Sequence, residues 1–286
     1  MSESKEPAMS NWTQTYLRHL GLDVQPASFA YLGHLCRAHL QAFPFENVSK
    51  LIQAEKSDVP SIPAPDLFLQ AAQEFHFGGT CYTLHTHFLQ LLQNLGFVAH
   101  LVLVGTAHAG IIVRLPELNH EPLYVDVGSA APLFRPVRFF TEPDNSSPFG
   151  SEAIRIAPDR QQPGRYRYQR YRGGELVSDS WHFHPDERRE PADFSPEIVR
   201  SFHPDSTFLT CLRIHRYQLD RARCVSLKNN SLLIMHVDGR EEKRILESVK
   251  EIEDAVANDL GLPRMPVGHA VEALTRRGID IFSENA

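Results

Sequence analysis

Apolar residues recur at helical spacing from the start of the chain. Trp12, Tyr16, Leu17 and Leu20 predict a helix over residues 12–20, and Leu32, Leu35 and Cys36 a second over 29–40. FPFENVS breaks the pattern, and Pro60, Pro63 and Pro65 then make a stiff connector. Asp66 stands where it can cap a helix reaching Phe75, with Gly78 and Gly79 ending it. Leu84, Phe88, Leu91, Leu92 and Leu95 form one face of the next helix, Gly96 sits at its expected stop, and Cys81 lies on the edge of that face.

From Val98 onward the period changes to two. Residues 101–104, 110–115 and 123–127 read as strands, the last two joined by PELNHEP, and 153–157, 165–171 and 176–183 add three more. A barrel or a strongly twisted antiparallel sheet is expected there. HPDERREPADFSPEIVRSFHPD, rich in proline and charge, reads as a crossing linker. Beyond it, residues 208–217, 223–227 and 231–237 predict a small sheet turning at Asn229 and Asn230, while Ile245, Val249, Ile252 and Val256 mark a closing helix.

With 286 residues, 42% of them hydrophobic and 22% charged, the chain can bury a sizeable core as one large domain or two to three small ones. A net charge of −6 gives no general electrostatic reason to bind nucleic acid or an anionic membrane. MSESKEPAMS lacks the basic head and apolar run of a signal peptide, and no later stretch has the length of a membrane span, so a cytoplasmic location is expected. Cys36, Cys81, Cys211 and Cys224 form no CxxC pair, which argues against a zinc knuckle or a thioredoxin-type redox pair and for four free thiols.

Cys81 directly follows two glycines at a helix start. It is either the first buried tooth of an apolar face or a nucleophile. The glycines favour a tight turn that presents backbone N–H groups and the positive end of the helix dipole, and a thiolate is stabilised at such a place. It also needs an imidazole and a group to orient that imidazole. Asp126 interrupts the apolar strand LYVDV, where a carboxylate is costly without a hydrogen-bonded partner. His108 opens the preceding strand and shares the parity of Asp126. A turn centred near Glu117 sets the two directly opposite; one centred near Asn119 sets Asp126 across from Ile112 and leaves His108 too far away.

His85 competes for the role of base, four residues after Cys81 on one helix, but it and His87 fall toward the polar edge, where solvated histidines are expected. RYRYQRY alternates cations and aromatics as an ordinary strand does, and GGT lacks the GK[ST] of a phosphate loop. His182 and His184 have strand spacing without a carboxylate or cysteine cluster nearby to complete a metal site.

Together these segments resemble the arylamine N-acetyltransferases. FPFENVS is similar to that family's PFEN segment, GGTC to the core of its RGGxCxE motif, AHAGIIV to its TH strand, LYVDVG to its DVGFG strand and SFHPDSTF to its HPxSxF signature, with LGF at the expected distance. The resemblance covers most of the chain. It implies an α+β fold of papain-like or transglutaminase-like architecture: an N-terminal helical bundle (1–97), a central antiparallel β-barrel (98–205) and a C-terminal α/β lid (206–286). It also implies Cys81 as nucleophile, His108 as its imidazole and Asp126 as the orienting carboxylate.

The activity implied is acetyl transfer from acetyl-CoA, as cosubstrate and without a metal, to an arylamine, arylhydroxylamine or hydrazine through an acetyl-cysteine. Partners would be small molecules rather than nucleic acid or membrane; oligomeric state and the residues that meet CoA are left open. Phe77 stands where the family has arginine and Thr83 where it has glutamate, so Glu46 loses the ion-pair network of that arginine. Ser129 and Ala130 replace PheGly after DVG, in a loop that borders the family's acceptor and cofactor cleft. Two other readings stay open: an acyl-transferring, amide-forming or hydrolytic cysteine enzyme on the same scaffold, and a non-catalytic relative binding CoA or aromatic ligands.

Overall fold

The computed structural model describes residues 11–56 and 59–283, and the MSESKEPAMS segment lies outside them. No described helix is long and apolar enough to cross a membrane. Helices α1 (Asn11–Leu20) and α2 (Phe29–Ala42) bury the stripes their spacing predicts. FPFENVS is more than a break: it holds a two-residue strand, β1 (Phe45–Glu46), and leads into α3 (Val48–Lys56). Helix α4 (Pro65–Phe75) starts on a proline, whose missing N–H is no loss in a first turn; Ala64 is the cap residue, and Asp66 lies in the first turn without capping it. This helix stops at His76, left-handed with φ 57°, before the glycines are reached.

The glycines instead let β1 approach the start of α5 (Cys81–Asn94). A Cβ on Gly78 would lie 1.9 Å from the carbonyl oxygen of Pro44, and Gly79 holds φ 113°. Gly79 bridges Phe45 in parallel fashion, and its carbonyl accepts the Glu46 N–H at 3.0 Å.

Strands β2 (Val98–Val104), β3 (His108–Arg114) and β4 (Pro122–Val125) form one antiparallel sheet. A second contains β5 (Ser147–Phe149), β6 (Glu152–Pro158), β7 (Tyr166–Arg172) and β8 (Glu175–Phe183). The expected barrel is not closed; both sheets are open. Between β4 and β5 the chain carries Pro132, Pro136 and Pro143, which cannot donate to a ladder, and only a single bridge forms there, Tyr124 to Val137. Valines 102 and 104, Ile112, Tyr124, Ile154, Tyr168 and Phe183 fill the space between the two sheets.

The charged segment after β8 contains a short helix, α6 (Ser195–Arg200). Strands β9 (Arg213–Gln218), β10 (Arg223–Lys228), β11 (Ser231–His236) and β12 (Glu241–Ile245) follow, with Asn229 at φ 52° in the predicted turn. Ile245 ends β12 rather than opening the last helix, and two helices close the chain, α7 (Val249–Asn258) and α8 (Val267–Arg276). The third sheet runs β1-β9-β10-β11-β12, so β1 joins it at one edge, with Phe45 opposite His215. Asn47 fastens the same junction: its side chain donates to the carbonyls of Phe208 and Cys211 and accepts the Arg213 N–H.

Candidate active site

Cys81 is the first residue of α5, and the first-turn amides of a helix have no acceptor within it. Cys81 is 6% exposed and opens on a cavity of about 380 Å³ lined by Thr80, Tyr82, Arg200, His203, Thr207 and Phe208, among others.

Residues from two other stretches come to the same place. The β3–β4 register pairs Ile112 with Tyr124 and Ile111 with Val125, so it is centred on Leu118, between the two turns considered from sequence. Extended by one step, it sets Asp126 across from Gly110, with His108 on the diagonal. That is near enough: His108 Nε2 donates to Asp126 Oδ2 at 2.8 Å. A Cβ on Gly110 would come within 2.7 Å of the Tyr124 ring, whose hydroxyl donates to the same Oδ2 at 3.0 Å. The Gly128 N–H donates to Oδ1 at 3.1 Å.

Asp126 is fully buried. Burial alone would raise its pKa, but His108 and His85 outweigh it and hold the carboxyl well below the usual range. Burial would likewise lower His108; the Asp126 charge and hydrogen bond, then interaction with Cys81, carry it above the usual histidine range. With Nε2 engaged by Asp126, Nδ1 is the ring nitrogen left for the sulfur. Trp181 stacks on the His108 ring, 4.6 Å between centroids.

The expectation that His85 and His87 are solvated is wrong: both are buried. Helix α5 is covered on nearly every side, so its sequence shows no dependable polar edge. The Val127 N–H donates to His85 Nε2 at 3.2 Å, and Nδ1 meets the Cys81 carbonyl at 3.0 Å. His85 Nε2 is also 3.2 Å from Asp126 Oδ1. His85 therefore ties the turn of Cys81 to the loop carrying Asp126. A usable signal lay in the sequence: a histidine one turn past the cysteine in a helix otherwise rich in leucine.

Ligand atoms of His85, His108 and Asp126 lie within 4.8 Å of one another, the donor set of a metal site. His108 Nε2 is hydrogen-bonded to Asp126 at 2.8 Å, while His85 Nε2 accepts the Val127 N–H and its Nδ1 meets the Cys81 carbonyl, so each donor is already engaged. His182 does gain a carboxylate, Asp159 at 2.8 Å, but Arg167 shares it. In RYRYQRY, Tyr168 is buried and Arg167 is taken up by Asp159 and Asp179.

Glu46, buried without an arginine, is satisfied otherwise. It accepts the Ser49 N–H at 2.9 Å, the Ser49 hydroxyl at 2.7 Å and the Gly78 N–H at 3.2 Å. Burial raises its pKa and these bonds oppose the shift. Phe77 packs against the apolar cluster of the third sheet and its helices. Ser129 lies 3.4 Å from the Tyr168 hydroxyl, and Ala130 holds φ 54°.

A sequence profile of the N-acetyltransferase family matches residues 28–264. No curated protein matches the chain significantly. Among solved structures, a variant of the Mycobacterium smegmatis N-arylamine acetyltransferase is similar with a TM-score of 0.75 at 22% identity, over 94% of this chain and 98% of that one. The Salmonella typhimurium arylamine N-acetyltransferase gives 0.75 at 19%, over 94% and 99%. The Mycobacterium marinum enzyme, solved in complex with CoA, gives 0.71 at 21%, over 93% and 97%. At such identities the structures speak for the fold; with the profile spanning most of the sequence, the chain belongs to the arylamine N-acetyltransferase family of acyltransferases.

Proposed function

We propose that the protein moves an acetyl group from acetyl-CoA to an arylamine, arylhydroxylamine or hydrazine by a ping-pong reaction through acetyl-Cys81. The observation that carries this reading is the convergence of Cys81, His108 and Asp126, from three separated stretches, at the N-terminus of α5. The Cys81 thiolate attacks the thioester carbonyl, first-turn amides of α5 stabilise the oxyanion, and the carbon–sulfur bond to CoA breaks. The leaving CoA sulfur takes the proton of the His108 imidazolium. The acceptor nitrogen then attacks the acetyl carbonyl, His108 receives its proton, and Cys81 departs as thiolate. Asp126 holds the ring in place throughout. An aromatic amine or hydrazine suits the second half because it stays neutral and nucleophilic near neutral pH.

The cavity at Cys81 has apolar walls from Tyr82 and Phe208, the guanidinium of Arg200 and the imidazole of His203, a combination suited to an acyl-CoA thioester and an aromatic ring. Incubation with acetyl-CoA, followed by intact mass and peptide mapping, is expected to place one acetyl group on Cys81. An unmodified Cys81 with no CoA released would end this reading. A panel of longer acyl donors, read the same way, separates it from the amide-forming or hydrolytic alternative.

A further inference from the structure

Lys50 on α3 is 6% exposed and, among the described residues, forms no ion pair. Its Nζ donates to Ser201 Oγ at 2.5 Å and lies 4.0 Å from the centre of the Phe202 ring. With Ser49, Gly79, Thr80 and Thr83, it lines a cavity of about 80 Å³ behind the turn that carries the nucleophile. Thr80, Tyr82 and Ser201 form a wall common to this cavity and the one on which Cys81 opens. A buried ammonium without a carboxylate is costly, and a neutral hydroxyl and a ring face offset only part of that cost.

The ionisable neighbours are otherwise engaged. Glu46, one turn back, is turned to Ser49 and Gly78. Beyond Ser201, Glu197 lies 3.8 Å from Arg200 and His203 lies 3.6 Å from Asp205. On α5, the Tyr82 hydroxyl donates to the Ala107 carbonyl. The charge that does act on Lys50 is that of the Cys81 sulfur, which opens on the adjoining cavity across the shared wall.

We propose that Lys50 is a positioning residue for the nucleophile: its ammonium, held by Ser201 and the Phe202 ring, is a second positive charge, in addition to that of His108, that supports the Cys81 thiolate. The inference rests on Cys81 being the nucleophile of the proposed function. Its electrostatics run both ways. Burial pushes Lys50 down to about 8, and the charge of Cys81 acts against that shift. Acylation or alkylation of Cys81 removes the charge, so Lys50 then holds its proton less tightly.

The test is the pH profile of Cys81 alkylation by iodoacetamide, read by peptide mapping. In Lys50→Met the pH of half-maximal rate moves up by about one unit, so that alkylation on the acid side slows ~10-fold, and Lys50→Arg recovers most of it. An unmoved profile in folded Lys50→Met protein overturns the proposal. A second measurement needs no variant: NMR of isotope-labelled lysine before and after capping Cys81 with methyl methanethiosulfonate. The titration of Lys50 moves to lower pH on capping; an unchanged titration overturns the proposal even if the substituted protein does not fold. Alkylation does not depend on acyl transfer, so a protein that takes no acyl group fails the proposed function alone, while normal acetylation with an unmoved profile fails only the role of Lys50.

Discussion

The rings of His85 and His108 stand edge to face, 5.4 Å between centroids and 80° between planes, and both reach the carboxylate of Asp126. His108 also interacts with the Cys81 thiol, whereas His85 meets the Cys81 backbone carbonyl. His108→Ala should therefore lower acetylation of Cys81 by about 10²- to 10⁴-fold, the range for loss of a proton-transfer group. His85→Ala leaves the Val127 N–H without its acceptor, costing about 1–3 kcal/mol of stability, and slows acetylation about tenfold. Single-turnover rates with acetyl-CoA, set beside thermal unfolding, distinguish the two; abolition by the His85 change alone would exchange the roles.

Gly128 is where the loop after Asp126 touches α5. A Cβ there would fall 2.8 Å from the His85 ring and 2.9 Å from Cys81 Cα. Neither neighbour can retreat without moving the start of α5, so Gly128→Ala is expected to destabilise the protein by about 1–3 kcal/mol and to lose most acetylation. Thermal melts combined with intact mass after acetyl-CoA treatment measure both effects.

Tyr124→Phe keeps the ring that fills the space above Gly110 and removes one hydrogen bond to Asp126. A bond to a buried carboxylate contributes about 1.5–3 kcal/mol. The variant should fold and show a reduced kcat, because Asp126 is then free to turn from the geometry that holds His108. Steady-state kinetics with any accepted arylamine would reveal a fall in kcat without a matching rise in KM.

Buried histidines set an acid limit. Burial pushes His87, stacked 4.3 Å from Phe68, down to about 4, and pushes His215, near Arg213 and Arg170, down to about 3. In the unfolded chain both take up protons near the ordinary value of about 6.5. Above that pH both states are neutral and nothing is lost. As pH falls from about 6.5 toward 4, the unfolded state gains protons that the folded state refuses, and stability drops by up to about 3 kcal/mol for His87. Urea midpoints across that window should fall, and less steeply in His87→Leu; equal slopes for the two proteins would assign the acid loss elsewhere.

Much of this arrangement was legible in the sequence for identifiable reasons. Asp126 stood out because a carboxylate in an apolar strand demands a partner, and strand parity limited the choice to residues such as His108. Register could not be read, because PELNHEP folds through a 3-10 turn at Pro116–Leu118 that sets the centre on Leu118. His85 escaped because amphipathic reasoning fails on a helix buried all round. Helix α3 was hidden behind FPFENVS, where the strand formed by Phe45 and Glu46 depends on β9, more than 160 residues onward. The open sheets followed from prolines whose effect on closure appears only once strand neighbours are known.

The two-residue strand β1 has a mechanical consequence. One side is laced to β9 and the other to Gly79, so the backbone just before Cys81 cannot work loose while the distant ladder stays closed. Cys81 and the C-terminal sheet thus behave as one cooperative unit in local opening, and slow amide exchange at Glu46 should track that of β9 rather than that of α3.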